Sequence, residues 1–304
     1  MEFWAIITVG SAFLQNLRST LQKHLKGRMG TTGATFVRFG FGLPFSFLYL
    51  AILHLGLGRP LPVPGVTFAI WAVIGALAQI TATFLLVHLF SFRNFAVGTA
   101  YSRTEPAQAA LLALVLFGET IGLGTAAAIL VSILGVMLIS VARTAFTPLS
   151  LVTSVTSPTA LIGLASGLFF GVSGISYRAA SLALAPTLPE PDVIMQAGYT
   201  LCVVITVQTL SMLIWMLWKD RAELSRIGAA WKVSALVGFV GATASFGWFI
   251  AMTLQQVAVV KALAQVEMLF TFASSVLIFK ERINRLEIAG CVLIVAGVLL
   301  LVLV

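Results

Sequence analysis

The sequence predicts an all-α integral membrane protein of ten transmembrane helices, built as two inverted five-helix repeats. Three observations carry that expectation. Of the 304 residues, 60% are hydrophobic and only 9% are charged, whereas a soluble domain carries about 25% charged residues. The apolar residues fall into ten runs long enough to cross a bilayer. The chain also matches itself at an offset of 162 residues.

A spanning helix needs about 20 mostly apolar residues, because hydrocarbon offers no water to satisfy backbone groups. The first run, 3–25, opens on FWAIITVG, turns polar at FLQNLRSTLQK and stops at KGRMG. The second, 31–54, ends at GRPLPVPG, and the third covers 66–89. The fourth, 94–117, carries Arg103, Glu105 and Pro106 in its middle and ends at FGETIG, before the fifth at 122–142. The sixth, 159–184, repeats Gly163, Gly167 and Gly171, and the eighth, 231–254, carries Gly238, Gly241 and Ser245. Such small faces let helices approach closely in lipid. The seventh run is 192–218, the ninth is 258–279 before KERIN, and the tenth is 284–304. The longest polar segments, 143–158 and 219–230, have no room for a folded soluble domain. MEFWAIITVGSAFL lacks a basic n-region and a small-residue cleavage site, so the first span is expected to be retained. Cys202 and Cys291 lie within apolar runs and read as core residues, with no disulfide or metal spacing.

At the 162-residue offset, AVGTAYSRTEPAQAALLALVLFGETIGLG lies over AVVKALAQVEMLFTFASSVLIFKERINRL. Glu105 falls on Glu267, Phe117 on Phe279, Glu119 on Glu281 and Gly135-Val136 on Gly297-Val298, with eleven identities in 47 ungapped positions. Apolar composition matches Ala and Val by chance, but not two pairs of glutamates in one register. The halves are therefore drawn at 1–145 and 146–304. Five spans per half force the second copy to enter from the opposite side, the inverted arrangement common in secondary transporters.

Five plus five spans, helices ending in LFGE and IFKE, and the following AAAILVSILGVMLI and IAGCVLIVAGVLLL resemble the drug/metabolite transporter superfamily, EamA type. The resemblance covers nearly the whole chain. It implies a ten-helix transporter fold whose members export or exchange amino acids, nucleotide sugars, sugar phosphates and other metabolites. The polar FLQNLRSTLQK departs from the apolar, Trp-containing first helix of that pattern.

Basic residues are unevenly placed. The loops on the side away from both termini hold Lys23, Lys26, Arg28, Arg93, Arg143, Lys219, Arg221, Arg226, Lys232, Lys280, Arg282 and Arg285. The other side holds Arg59, with Glu119, Glu190 and Asp192. Short loops rich in Lys and Arg stay cytoplasmic. The expectation is a multi-pass protein of a bacterial-type inner membrane with both termini outside. The formal net charge of +8 then reflects orientation rather than a nucleic-acid partner.

Within the spans lie Arg18, Arg38, Arg103, Arg178 and Lys261, with Glu105 and Glu267 as the acids. Each charge costs about 2.5–3.5 kcal/mol at a helix centre on insertion scales and needs a partner or a wet cavity. Ser11, Gln15, Arg18 and Gln22 follow helical spacing on one face, beside Asn16, Ser19 and Lys23. Arg18, Arg38 and Arg103 each lie about eight residues from the cation-rich end of their helix, a depth of about 12 Å. Arginine suits carboxylate and phosphate because its fork of donors reaches two oxygens at once. Structural alternatives are snorkelling to the headgroups, the preferred reading for Arg178, and pairing with Glu105 as a lock. Arg103 and Glu105 are two residues apart, point about 200° from each other on a helix and form no local pair. Glu105 shares its face with Tyr101 and Gln108; Glu267 is accompanied by Lys261 and Gln265. Pro106 removes a backbone donor and is expected to kink the helix. The candidate substrate-binding set is Gln15, Arg18, Gln22, Arg38, Tyr101, Arg103, Glu105, Gln108, Gln265 and Glu267. Glu105 and Glu267 are candidates for proton coupling, or else acceptors for helix-end amides and arginines. Arg103 aligns with Gln265 and Arg18 with Ala180, so these arginines are not duplicated.

These residues point to a secondary transporter moving a small anionic or zwitterionic metabolite, amino-acid-like or another carboxylate, by alternating access. An exporter of cationic or drug-like compounds on the same fold is the alternative. An intramembrane enzyme would need an acid cluster or a nucleophile–base pair. Asp192 and Asp220, the sole aspartates, sit at helix ends, and His24, His54 and His88 have no ligand spacing. No catalytic residue, metal or cofactor is expected. No Gly-rich nucleotide loop appears, so a gradient or exchange supplies the energy. Ten spans suffice for a pathway, making a monomer the default and a dimer the alternative. A reporter active only outside the cytoplasm, fused after Val304, is expected to be active; a silent but stably expressed fusion would reverse the orientation.

Overall fold

The computed structural model describes residues 2–26, 28–89, 100–141, 155–277 and 284–303. These residues form α1 (Phe3–Lys26), α2 (Thr31–Gly40), α3 (Leu43–Ala51), α4 (Val66–Leu89), α5 (Glu105–Phe117), α6 (Leu123–Val141) and α7 (Pro158–Ala183). They continue with α8 (Val193–Lys219), α9 (Arg221–Ala229), α10 (Trp231–Leu254), α11 (Val257–Leu263), α12 (Glu267–Leu277) and α13 (Arg285–Leu303). A helix, or part of one, occupies each of the ten expected positions. Among the described residues, six stretches are long and apolar enough to cross a membrane: Thr31–Gly56, Val66–Leu89, Leu123–Val141, Pro158–Thr187, Val193–Lys219 and Trp231–Leu254. Leu55, Val115 and Leu123 are 79%, 80% and 91% exposed, which suits hydrocarbon and not water. The loop charges Arg93, Arg143, Lys280, Glu281 and Arg282 lie outside the described residues.

The chain groups into two compact units that do not follow its sequence halves. The first comprises Met1–Ala12, Thr81–Val172 and Gln256–Val304; the second comprises Phe13–Ile80 and Ser173–Gln255.

In the first unit, α6 packs along α13 with backbones in close approach. A Cβ on Gly135 would lie 2.6 Å from the Gly290 carbonyl oxygen, and one on Gly290 would lie 2.6 Å from that of Gly135. Gly297, the repeat mate of Gly135, sits equally tightly against Ser132 and Ala128 of α6. Only glycine permits that spacing. Helix α5 ends at Gly118, whose φ of 66° closes the last turn by donating to the carbonyls of Ala113 and Leu114.

In the second unit, the expected span 31–54 is two helices. Pro44 lies in the first turn of α3 and removes the donor that the Gly40 carbonyl would receive, so α2 stops there. Gly238 of α10 packs on that junction, where an added Cβ would lie 2.3 Å from the carbonyl carbon of Phe41. Asp192 caps α8 by accepting from the amides of Ile194 and Met195, both at 3.1 Å, and holds Arg59 at 2.7 Å. Buried Glu223 of α9 accepts from the Gly30 amide at 2.8 Å, at the start of α2, and pairs with Arg226 at 2.5 Å.

Gly238→Ala forces the Phe41 backbone to move and is expected to cost about 1–3 kcal/mol, read as a lower melting temperature in detergent. Gly228→Ala has open space around it and is the control, expected to leave stability unchanged or raised.

Candidate functional site

The first unit contains two broken helices related by the 162-residue offset. The chain is helical at 100–102, turns at 103–104 and resumes as α5 at Glu105. Its mate ends α11 at Leu263, passes through a 3-10 turn, Ala264–Val266, and resumes as α12 at Glu267. Pro106 lacks the amide that would bond the Ser102 carbonyl, and the Ala107 amide bonds Thr104 at 3.1 Å instead of Arg103. The freed Arg103 carbonyl accepts the side-chain amide of Gln265 at 3.1 Å. Each glutamate thus begins a helix, where the positive end of the dipole favours a carboxylate.

Both glutamates pair with a cation from the other repeat. Arg103 Nη1 lies 3.4 Å from Glu267, and Lys261 Nζ lies 2.9 Å from Glu105 Oε1, the latter by distance without hydrogen-bond geometry. Gln108 donates to the Thr104 hydroxyl at 2.7 Å, while its buried side-chain oxygen has no hydrogen-bond partner among the described residues. Tyr101 packs with Ala100, Val141 and Ala160 as core. Gly167 lets α7 approach the break, since a Cβ there would lie 2.9 Å from the Ser102 carbonyl oxygen.

The second unit holds a different constellation. The polar face of α1 points inward, as its spacing predicts. Gln15 accepts from the Trp248 indole at 3.1 Å, Gln22 donates to the Ala34 carbonyl at 2.8 Å, and Arg18 is buried. Arg38 is also buried, at 7% exposure. The two arginine stems lie over Gly241, whose added Cβ would be 3.3 Å from Arg18 Cδ and 3.6 Å from Arg38 Cγ. Arg38 lines a cavity with Phe39, Gln79, Gln208, Gly241 and Ser245, closed by Leu201, Val204, Ile205 and Phe249. Its empty space is about 240 Å³ including the solvent at its mouth, with room inside for roughly one water.

A neutral network lies beneath. The Tyr177 hydroxyl lies 2.9 Å from the Gly75 carbonyl and 2.5 Å from Gln79 Oε1, and accepts from Gln208 at 3.0 Å. Gln208 also donates to Gln79 Oε1 at 3.2 Å, and the Tyr177 ring stacks on Phe249 at 4.5 Å. Sequence reasoning missed Tyr177, Gln79, Gln208 and Trp248. The available signal was a larger polar or aromatic side chain inside an apolar run, with only small hydroxyl residues one turn away. Arg178, expected to snorkel, instead donates to the carbonyls of Met252, Thr253 and Gln255 at 2.7, 3.2 and 2.8 Å, capping α10.

The structure thus gathers Gln15, Arg18, Gln22 and Arg38 in one unit, and Tyr101, Arg103, Glu105, Gln108, Gln265 and Glu267 in the other.

A model of the EamA-like transporter family matches residues 2–141 and again 157–303. A solved structure described only as "Crystal structure of protein" is 18% identical with a TM-score of 0.67, over 99% of this chain and 98% of its own. That likeness concerns the fold. No curated protein matches.

Glu105→Gln leaves Lys261 without its carboxylate and is expected to cost about 1–3 kcal/mol, below the range for fully buried pairs because both groups are partly exposed. Adding Lys261→Gln should recover at least half of that loss in the melting temperature. An additive loss would show that the pair is not coupled.

Proposed function

The chain belongs to the EamA-like transporter family, and on that premise we propose that it is a secondary active transporter of a small anionic or zwitterionic metabolite. It works by alternating access through ten spans in two inverted repeats, 1–145 and 146–304. It sits in an inner membrane with both termini outside, and it carries out no catalysis.

One observation carries this reading. Arg38 is buried beside a cavity, and among the described residues it has neither an ion pair nor a hydrogen bond. The Phe39 ring, 5.3 Å from the guanidinium carbon, is a weak substitute. A cation left this way in a membrane interior is costly unless a ligand completes it. Arg38 is the anchor of the substrate's carboxylate or equivalent oxyanion. Arg18 adds field, and Gln79, Gln208 and Ser245 line the site. Gln15 and Gln22 hold the polar face of α1 in place.

The residues of the first unit have another role. Arg103, Glu105, Lys261, Gln265 and Glu267 tie two broken helices together, a lock that must loosen when the helices shift during transport. Loosening the lock exposes Glu105 and Glu267 to protonation, which is where coupling to a proton gradient would enter.

The test is a thermal-shift panel of carboxylates, amino acids, organophosphates and organic cations on detergent-purified protein. A ligand bound only by the folded state raises the melting temperature by mass action. Anionic or zwitterionic compounds are expected to raise it, and Arg38→Gln to abolish the shift. A panel in which only cations stabilise the protein, unaffected by Arg38→Gln, would overturn the reading.

A further inference from the structure

We infer that the second unit carries a docking surface for the phosphates of anionic lipids, made by α9 with the adjoining ends of α1, α8 and α10. None of its residues lines the Arg38 cavity.

Helix α9 is the centre of this surface. It joins two spans, Val193–Lys219 and Trp231–Leu254, at one membrane face. Glu223 and Ile227 on its inward side are buried, while Arg221, Ala222, Ser225 and Arg226 are exposed. Ile227 and the following Ala230 share one core with Leu25 of α1, Met29 just beyond it and Met216 of α8. The Gly30 amide bonds Glu223 at 2.8 Å, which holds the segment bearing exposed Arg28 against α9.

Acid is turned away from the outward face. The Glu223 carboxylate fills the space over Gly30 and Gly33, where an added Cβ would lie 3.1 and 2.3 Å from its oxygens. Those oxygens are taken by the Gly30 amide and by Arg226. Asp220, between α8 and α9, is half-buried. The exposed cations Arg28, Lys219, Arg221, Arg226 and Lys232 thus outnumber these two carboxylates. Among the described residues, no carboxylate pairs with Lys219, Arg221 or Lys232.

The depth of the cations selects a lipid phosphate over a dissolved one. Lys219 Nζ lies 4.4 Å from the centre of the Trp218 ring, and Lys232 Nζ lies 5.9 Å from that of Trp231. Both indoles are exposed and stand at the ends of the two spans, the level at which tryptophan meets lipid headgroups. One turn further into the spans, Ile214, Leu217 and Leu236 are exposed, as residues facing acyl chains are. A cation held over such an indole is level with the lipid phosphates. Clustered Lys and Arg on a short helix at this depth attract anionic headgroups.

The experiment reconstitutes the full-length protein into phosphatidylcholine vesicles in which part of the lipid is replaced by acyl-brominated phosphatidylglycerol or acyl-brominated phosphatidylcholine. Bromine quenches nearby indoles, so Trp218 and Trp231 report which lipid gathers beside α9. Phosphatidylglycerol is expected to quench at a mole fraction about fivefold lower than phosphatidylcholine, the attraction of roughly one basic residue. The preference should fall to none in Lys219→Gln/Arg221→Gln/Lys232→Gln, which leaves the Glu223 clasp intact. Lys219→Arg/Arg221→Lys/Lys232→Arg keeps the charges and should keep the preference. Raised salt on the unaltered protein should weaken it and serves if the Gln variant does not fold. Equal quenching by the two lipids would overturn the inference and leave the basic face to a soluble acidic partner. A preference that persists in the Gln variant, or that inorganic phosphate abolishes at matched ionic strength, would overturn it as well.

Discussion

A charge inside hydrocarbon has to be answered by something close at hand, and this constraint organises the charged groups seen among the described residues. Lys261 is answered by Glu105 and Arg103 by Glu267. Arg178 is answered by three carbonyls at the end of α10. At the membrane edges, Arg59 is held by Asp192 and Arg226 by Glu223. Arg38 departs from this pattern, because it faces a cavity lined by neutral groups. In the reading proposed above, that buried guanidinium is where a substrate oxyanion would bind.

The same constraint explains the broken helices. A continuous helix satisfies its own backbone and offers nothing at mid-membrane. Interrupting it at 103–104 and at Ala264–Val266 frees carbonyls and creates two new helix starts. Those starts favour the carboxylates of Glu105 and Glu267. The carboxylates then fix the two cations, and Gln265 takes up the Arg103 carbonyl. Backbone interruption and ion pairing are thus one arrangement. Its appearance at the same register in both copies is the structural counterpart of the glutamate match in the sequence.

Much of this was legible in the chain itself. The lengths of the apolar runs are fixed by bilayer thickness, so helices stand where the runs predict them. The inward face of α1 was legible because Gln15, Arg18 and Gln22 obey helical spacing. The break beside Pro106 was also legible, since proline removes a named hydrogen bond. Its mate was not, because position 268 is methionine and the interruption there is visible only in three dimensions. Arg103–Glu267 and Lys261–Glu105 join residues more than 150 positions apart, beyond any local pattern. Tyr177, Gln79 and Gln208 come from three different helices, and each looks like an isolated polar residue until they converge. Arg178 was misread because sequence gives depth in the membrane but not the carbonyls that end a neighbouring helix. The grouping into compact units that cut across the sequence halves was equally hidden.

The most direct test of the account is an experimental density map of the protein soaked with bromosuccinate, using the anomalous signal of bromine to place the ligand. The account predicts one bromine peak in the cavity of the second unit, with a carboxylate within hydrogen-bond reach of the Arg38 guanidinium. A map in which Arg38 is closed off by a protein carboxylate, with the bromine elsewhere or absent, would contradict it.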